Sequence, residues 1–286
     1  MRIDSGRRMA AAVAASLLLG CGGGSSSSDG SYPFPPRGTI TRETGGAWEA
    51  LEGDGVPTGC RLVDNRWNEV HAAPGAHAQR MFVETIGEAR AFGWQWRWPP
   101  STDVVAYPEL VCGTKPWDTE VAYTLGGAFP FQVGTARLDV DFDLALQASG
   151  VHNTAFSLWA VSDTEQPKAT ITNEIMIWVD NAGMMPAGTR KSSIVASDVT
   201  FDVYVMPNQT DHSGSTDAIW TYAAFVARQP MSSGHLDVEV FLDELERLGA
   251  LPADAWIGDL ELGNEIVGGG GVMEVTGFAW TVTPLG

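Results

Sequence analysis

The feature that most constrains this chain is a period-two alternation that recurs from Thr39 to its last residue. Short runs of β-branched and aromatic residues alternate with polar ones, and clusters of Gly, Pro, Asn and Asp separate the runs. Such a pattern gives a helix no apolar face, whereas a strand sends successive side chains to opposite sides. The clearest runs are Ala136 to Leu146, Thr154 to Val161, Asn173 to Asp180, Thr200 to Met206, Ile219 to Ala227, Trp256 to Ile266 and Val272 to Thr283. No repeat period links them, so the expected fold is all-β, a two-sheet β-sandwich. One segment departs from the rule. Val238, Phe241, Leu242, Leu245 and Leu248 fall at helical spacing, with Gly249 and Pro252 as stop signals, which predicts one amphipathic helix on the outside of the sandwich. The run Gly268 to Gly271 is expected to be a hairpin turn.

Composition excludes several function classes. With 286 residues, 44% of them hydrophobic, the chain has the material for a sizeable core. Its 33 glycines and 11 tryptophans suit a turn-rich β protein with aromatic binding surface better than a helical bundle. A formal net charge of −18 repels phosphate backbones, so nucleic acid is not an expected partner. The five histidines lack metal-site spacing, and neither a Gly-x-Ser-x-Gly elbow nor a Gly-Lys-Ser/Thr phosphate loop occurs. Neither a metal nor a cofactor is expected.

Residues 1–20 place Arg2, Arg7 and Arg8 before an apolar run, Met9 to Leu19, that is too short to span a bilayer but suits a signal peptide. Leu18-Leu19-Gly20-Cys21 resembles the bacterial lipoprotein signal, which implies acylation of Cys21 and an exported protein anchored at the cell surface, outer membrane or periplasm. Residues 21–38, rich in Gly, Ser and then Pro, are expected to form a tether, with the folded domain spanning 39–286. Outside the cytoplasm Cys60 and Cys112 are free to form one disulfide, the alternative being two buried thiols.

The segment from Asn173 to Asp180 carries the most chemical information. Alternation sends Ile175, Ile177 and Val179 to one face and Glu174, Met176 and Trp178 to the other. A carboxylate flanked by a thioether and an indole suits a groove that holds a sugar chain. In Asp259 to Val267 the same parity puts Leu260, Leu262 and Ile266 inward and Glu261, Gly263 and Glu265 outward. Two carboxyl groups facing each other across a groove are what glycoside hydrolysis requires, one protonated and one ionised. Glu174 and Glu265 are the candidate pair.

These segments resemble glycoside hydrolase family 12, the jelly-roll β-1,4-glucanases. Glu174-Ile175-Met176-Ile177-Trp178 is similar to the family's nucleophile strand, followed by Pro186-Ala187-Gly188 at the distance of its Pro-Ile-Gly. Gly263-Asn264-Glu265 resembles the Gly-x-Glu that carries the acid/base, Asp64-Asn65-Arg66-Trp67 the Asn-Asn-x-Trp whose tryptophan lines the groove, and Val105-Ala106-Tyr107-Pro108 its Lys-Ser-Tyr-Pro. The resemblance implies a jelly roll with a concave substrate groove and a retaining, endo-acting enzyme on β-1,4-glucan, with Glu174 as nucleophile and Glu265 as acid/base. It implies a substrate-binding set of Asn65, Trp67, Trp96, Trp98, Ser157, Met176, Trp178 and Glu261. Trp94, Trp96 and Trp98 resemble the family's Trp-x-Trp strand and are expected to form a stacking stripe. For Trp159, Trp220 and Trp256 core and groove stay open, and Trp117 is unplaced. The protein is expected to act as a monomer.

Two departures bear on activity. Ala155-Phe156-Ser157 stands where the family has Ala-Tyr-Asp, so a hydroxyl replaces the acid beside the nucleophile. This keeps open a second reading, a lectin-like sandwich that binds carbohydrate without turnover. Glu261 stands in place of the family's Gln; if it faces the groove with Glu265, its repulsion is expected to raise the acid/base pKa, and Glu261→Gln to move the basic limb of the pH profile down.

Overall fold

A computed structural model describes residues 32–72, 76–119, 121–211 and 215–286. The signal segment, Cys21 and the tether up to residue 31 lie outside the described residues. Within them the elements are β1 (Thr39–Thr44), β2 (Ala50–Glu52), β3 (Cys60–Val63), β4 (Ala78–Ile86), β5 (Ala89–Trp98), β6 (Glu109–Gly113), β7 (Phe131–Gln132), β8 (Ala136–Val161), β9 (Ile171–Ala182), β10 (Thr189–Ala196), β11 (Val199–Thr210), β12 (Ile219–Ala227), β13 (Ser233–Asp237), α1 (Glu239–Arg247), β14 (Trp256–Ile257), β15 (Asp259–Gly263) and β16 (Ile266–Pro284).

β8 organises the sandwich, joining two runs that the sequence presents as separate strands. Its first half pairs with β16 and β13, and its last residues pair with β15 and β9. The back layer is therefore ordered β1-β4-β5-β16-β8-β13, and the front layer β2-β3-β6-β15-β8-β9-β12-β11-β10. Between the layers lies one continuous core. Ile175, Ile177 and Val179 of β9, Leu260 and Leu262 of β15, and Phe156 and Leu158 of β8 meet Met81, Val83, Leu138, Val140 and Met273 from the back layer. Each such side chain contributes roughly 1.5–3 kcal/mol through removal of apolar surface from water.

α1 closes the flank of this core. Phe241, Leu242 and Leu245 are buried, and the Phe241 ring packs edge-on against Phe201 of β11 and Phe225 of β12, with centroids 5.2 and 5.0 Å away. Gly249, at φ 66°, ends the helix.

Two expectations fail here, for related reasons. Trp94, Trp96 and Trp98 do share one face of β5, but it is the core face, and all three are buried between the layers. They form no sugar-stacking stripe. Nor is Gly268 to Gly271 a turn: it is strand, inside β16, paired with β5 on one side and β8 on the other. A Cβ at Gly271 would stand 2.3 Å from the Trp96 indole, and one at Gly269 would stand 2.0 Å from the Ser149 carbonyl oxygen. The glycines leave out side chains so that a tryptophan lies flat on the strand and β8 approaches closely.

Cys60 and Cys112, cross-strand partners on β3 and β6, are disulfide-bonded with Cα atoms 4.1 Å apart. Closing a chain separation of 52 residues removes about 4 kcal/mol of unfolded-state entropy. Residues 32–38, whose composition suits a tether, lie on the back layer. The Phe34 carbonyl accepts from Gln95 Nε2 at 2.5 Å, Arg37 binds Glu274 through its backbone N–H and guanidinium, and the Gly38 N–H donates to Glu84 at 2.8 Å.

Candidate active site

The outer face of the front layer carries every titratable group that matters here, and strand register fixes their order. Glu174 stands opposite Trp159 of β8. The next row is Glu261, Ser157 and Met176, on β15, β8 and β9, and the row after is Gly263, Ala155 and Trp178. Glu265 follows, opposite Asn153. The two glutamates thus flank the face, six residues apart along β8 (from Trp159 to Asn153), with the intervening rows as its floor. They act on each other electrostatically: after burial, the charge of Glu265 is the strongest influence raising the pKa of Glu174.

Each carboxyl is held differently. Glu265 is gripped by one residue, because Asn153 donates from Nδ2 to its carboxylate, accepts its backbone N–H at Oδ1 (2.9 Å) and donates its own N–H to the Glu265 carbonyl (3.1 Å). Asn264 anchors this arrangement to the core. Its Nδ2 donates to the Asn153 carbonyl (2.6 Å) and Thr154 Oγ1 (2.9 Å), and its Oδ1 accepts from Trp94 Nε1 (2.7 Å). Glu174 accepts from Trp220 Nε1 at 3.1 Å. Ser157, at the position of the missing acid, makes no hydrogen bond to Glu174 among the described residues. Burial pushes Glu265 up to about 7, against the Asn153 hydrogen bond. Burial and the Glu265 charge push Glu174 up to about 8, against the Trp220 hydrogen bond. The pair therefore ionises in two steps, and its singly ionised form is most populated between them.

Aromatic residues collect around Glu174. Trp117, Trp159 and Trp220 pack edge-on with centroids 5.3 to 5.8 Å apart, and Trp256 joins them. These four, open or unplaced in the sequence, belong to the outer face of the front layer. Met176 and Trp178 lie on the expected face but are nearly fully buried, packed with Tyr107, Tyr222 and the partly buried Met184, Tyr204 and Met206. They form floor rather than exposed platform. Trp67, by contrast, is 51% exposed. Trp48, which sequence reasoning missed, is 58% exposed and linked to the same segment through its N–H, which donates to the Asp64 carbonyl at 2.7 Å. Trp98 supports that segment from the core: its Nε1 donates to Gln79 Oε1 (2.8 Å), and Gln79 Nε2 donates to Asp64 Oδ1 (2.7 Å), which also binds Arg66.

Two members of the expected substrate-binding set are engaged elsewhere. Asn65 is buried and donates to Glu109 Oε1 at 2.8 Å. Glu261 is only 2% exposed and pairs with Lys115 at 2.7 Å, which also holds both oxygens of Glu109 at 3.0 Å. Held by Lys115, Glu261 contributes to the field on Glu174 but is not among the influences on Glu265, which corrects the expected target of its repulsion. Asn153 was legible by parity, since it shares a face with Ala155 and Ser157. Lys115 carried only one signal, being one of three lysines in an acidic chain.

Comparison with known proteins agrees with this arrangement. The sequence profile described as "Glycosyl hydrolase family 12" matches residues 59–283. Endoglucanase S of Pectobacterium parmentieri is 29% identical over 190 residues, covering 65% of this chain and 69% of that protein. A family 12 xyloglucanase from Bacillus licheniformis superposes with a TM-score of 0.73 at 23% identity, over 85% of this chain and all of the other. Endoglucanase cel12A from Rhodothermus marinus gives 0.64 at 24%, over 86% and 100%. The chain belongs to glycosyl hydrolase family 12.

Proposed function

We propose that this protein is a retaining, endo-acting hydrolase of β-1,4-linked glucan, with Glu174 as nucleophile and Glu265 as acid/base. The observation that carries the assignment is the pair itself: two carboxyls on opposite flanks of one aromatic-lined face, Glu265 held by Asn153 and Glu174 by the Trp220 N–H. Glu265 gives its proton to the glycosidic oxygen while a Glu174 oxygen bonds the anomeric carbon and the leaving chain departs. Glu265, now ionised, takes a proton from water, whose oxygen displaces Glu174 from the sugar; two inversions give net retention. Exposed Trp67 and Trp48 supply stacking surface beyond the reacting centre.

The names of the relatives, an endoglucanase and a xyloglucanase, make cellulose, mixed-linkage glucan and xyloglucan the substrate candidates. The lipoprotein-like segment ending at Cys21 supports an exported protein tethered to a membrane. A reducing-sugar assay on soluble β-glucan and xyloglucan, with proton NMR of the first-formed anomer, tests the reading. New chain ends of β configuration are expected, and both Glu174→Gln and Glu265→Gln abolish most of the release. Glucan binding without release by the unmodified protein would establish the lectin reading instead, and α anomers would refute retention.

A further inference from the structure

Beside the two glutamates lies a buried charged cluster that the double-displacement scheme does not use. Lys115 Nζ is 3.0 Å from both oxygens of Glu109 and 2.7 Å from Glu261 Oε1, with all three side chains at 10% exposure or less. Asn65 donates to the same Glu109. Asp259, two residues before Glu261 on the same face of β15, accepts the Trp159 N–H at 2.8 Å, and Trp159 is the residue opposite Glu174. Ser157 stands directly between Glu261 and Met176 in the register, so the cluster lies one strand away from the position where the family's aspartate is missing.

Packing does not account for this cluster. Burying an ammonium and its carboxylate partners costs more than burying apolar groups of similar volume, so a buried lysine beside a reacting pair points to electrostatic work. Resting on the assignment of Glu174 as nucleophile, we infer that Lys115 is a positioning residue for the reaction: clamped between Glu109 and Glu261, it supplies the buried positive charge that keeps Glu174 able to ionise where the neighbouring strand offers Ser157. The charges that bear on Glu174 are Glu265 and Glu261, which oppose its ionisation, and Lys115, which favours it together with the Trp220 N–H. Tyr107 and Tyr222, which also feel the Glu174 charge, are held neutral because burial raises their phenols well above the usual range. Burial opposes the charge on Lys115, but Glu109 and Glu261 outweigh it and keep the ammonium protonated. Burial followed by the Glu261 charge raises Glu109, the same two causes raise Asp259, and the Lys115 ammonium opposes both.

The test is a carbon-13 titration of Glu174 in the full chain labelled at glutamate Cδ, its resonance assigned by its loss in Glu174→Gln. This readout does not depend on turnover. Lys115→Met is expected to raise the Glu174 midpoint by about one pH unit, Glu261→Gln to lower it by a similar amount, and Lys115→Arg to restore it. The kcat/KM profile on glucan should move with the midpoint in each variant. A merely structural lysine would not move the two variants in opposite directions. Should Lys115→Met not fold, Lys115→Met/Glu261→Gln replaces the pair by neutral groups, and its midpoint must lie above that of Glu261→Gln alone. Midpoints that stay in place, or shift in one direction for both substitutions, overturn the assignment of Lys115. Unmodified protein that leaves every glucan intact while Glu174 titrates as described overturns the hydrolase reading instead.

Discussion

The surroundings of Glu265 and Glu174 differ in kind. Glu265 sits in a neutral clamp, gripped three ways by Asn153, which Asn264 ties to the Trp94 indole in the core. Glu174 has, among the described residues, a single hydrogen bond, from Trp220, and beyond burial its other influences are charges, with Glu265 and Glu261 opposed by Lys115. One carboxyl is controlled by geometry and the other by a field. In the proposed roles, an acid that must give up and regain one proton in a fixed direction benefits from the first, and a nucleophile that must be anionic before it attacks depends on the second.

Substitutions of the two glutamates bear most heavily on this contrast. Glu174→Gln should lower kcat on glucan about 10⁴-fold or more whatever the leaving group. Glu265→Gln should cost about 10²- to 10⁴-fold on polysaccharide and far less on an aryl glucoside whose leaving group needs no proton. Equal losses on both substrates would mean the roles are not divided in this way. Next in size are the supports. Asn153→Ala and Trp220→Phe each remove a hydrogen bond to a carboxylate, a loss of about 10- to 100-fold in kcat/KM. Asn153→Ala should raise the Glu265 midpoint and Trp220→Phe that of Glu174, as the directions of those bonds require. Shifts at the other glutamate would merge the two environments into one.

Proton linkage gives a smaller effect. With one carboxyl ionising at about 7 and the other at about 8, kcat/KM should rise as the first proton leaves, peak between these values and fall as the second leaves. A maximum near pH 5 would show that the burial of the pair is relieved in solution. The smallest expectation concerns stability. Both carboxyls have folded-state values raised above the ordinary 4.5, so the folded form holds their protons more tightly. Stability is then fully present below about pH 4.5 and declines as pH rises through 7 and 8. The glutamine variants, lacking this penalty, should melt a few °C above the parent at pH 8 and close to it at pH 5, about 2–4 °C for each kcal/mol in a domain of this size.

Strand parity made much of the site legible. The opposite faces of Glu174 and Ile175, and of Glu261 and Leu262, follow from a two-residue repeat that packing preserves on both β9 and β15. Parity groups residues without saying which group faces the core, and on β5 it is the tryptophans that do. Their alternation with Gly93, Gln95 and Arg97 carried the information, since a strand with polar residues on one face and large aromatics on the other buries the aromatics. Gly268 to Gly271 reads as a turn because local turn chemistry and clearance for a distant indole leave the same trace in a sequence. The Lys115 cluster was hidden for another reason: its members come from β6, the segment after it and β15, and only register across the layer makes them neighbours.

β8 crosses from one layer to the other as a single strand, with Leu138 and Val140 packed in the back layer and Asn153, Ser157 and Trp159 beneath the reacting pair. Any motion that pulls apart the bed of the catalytic face must therefore drag on the rear wall, so backbone amides along its whole length should exchange with deuterium at one common, slow rate.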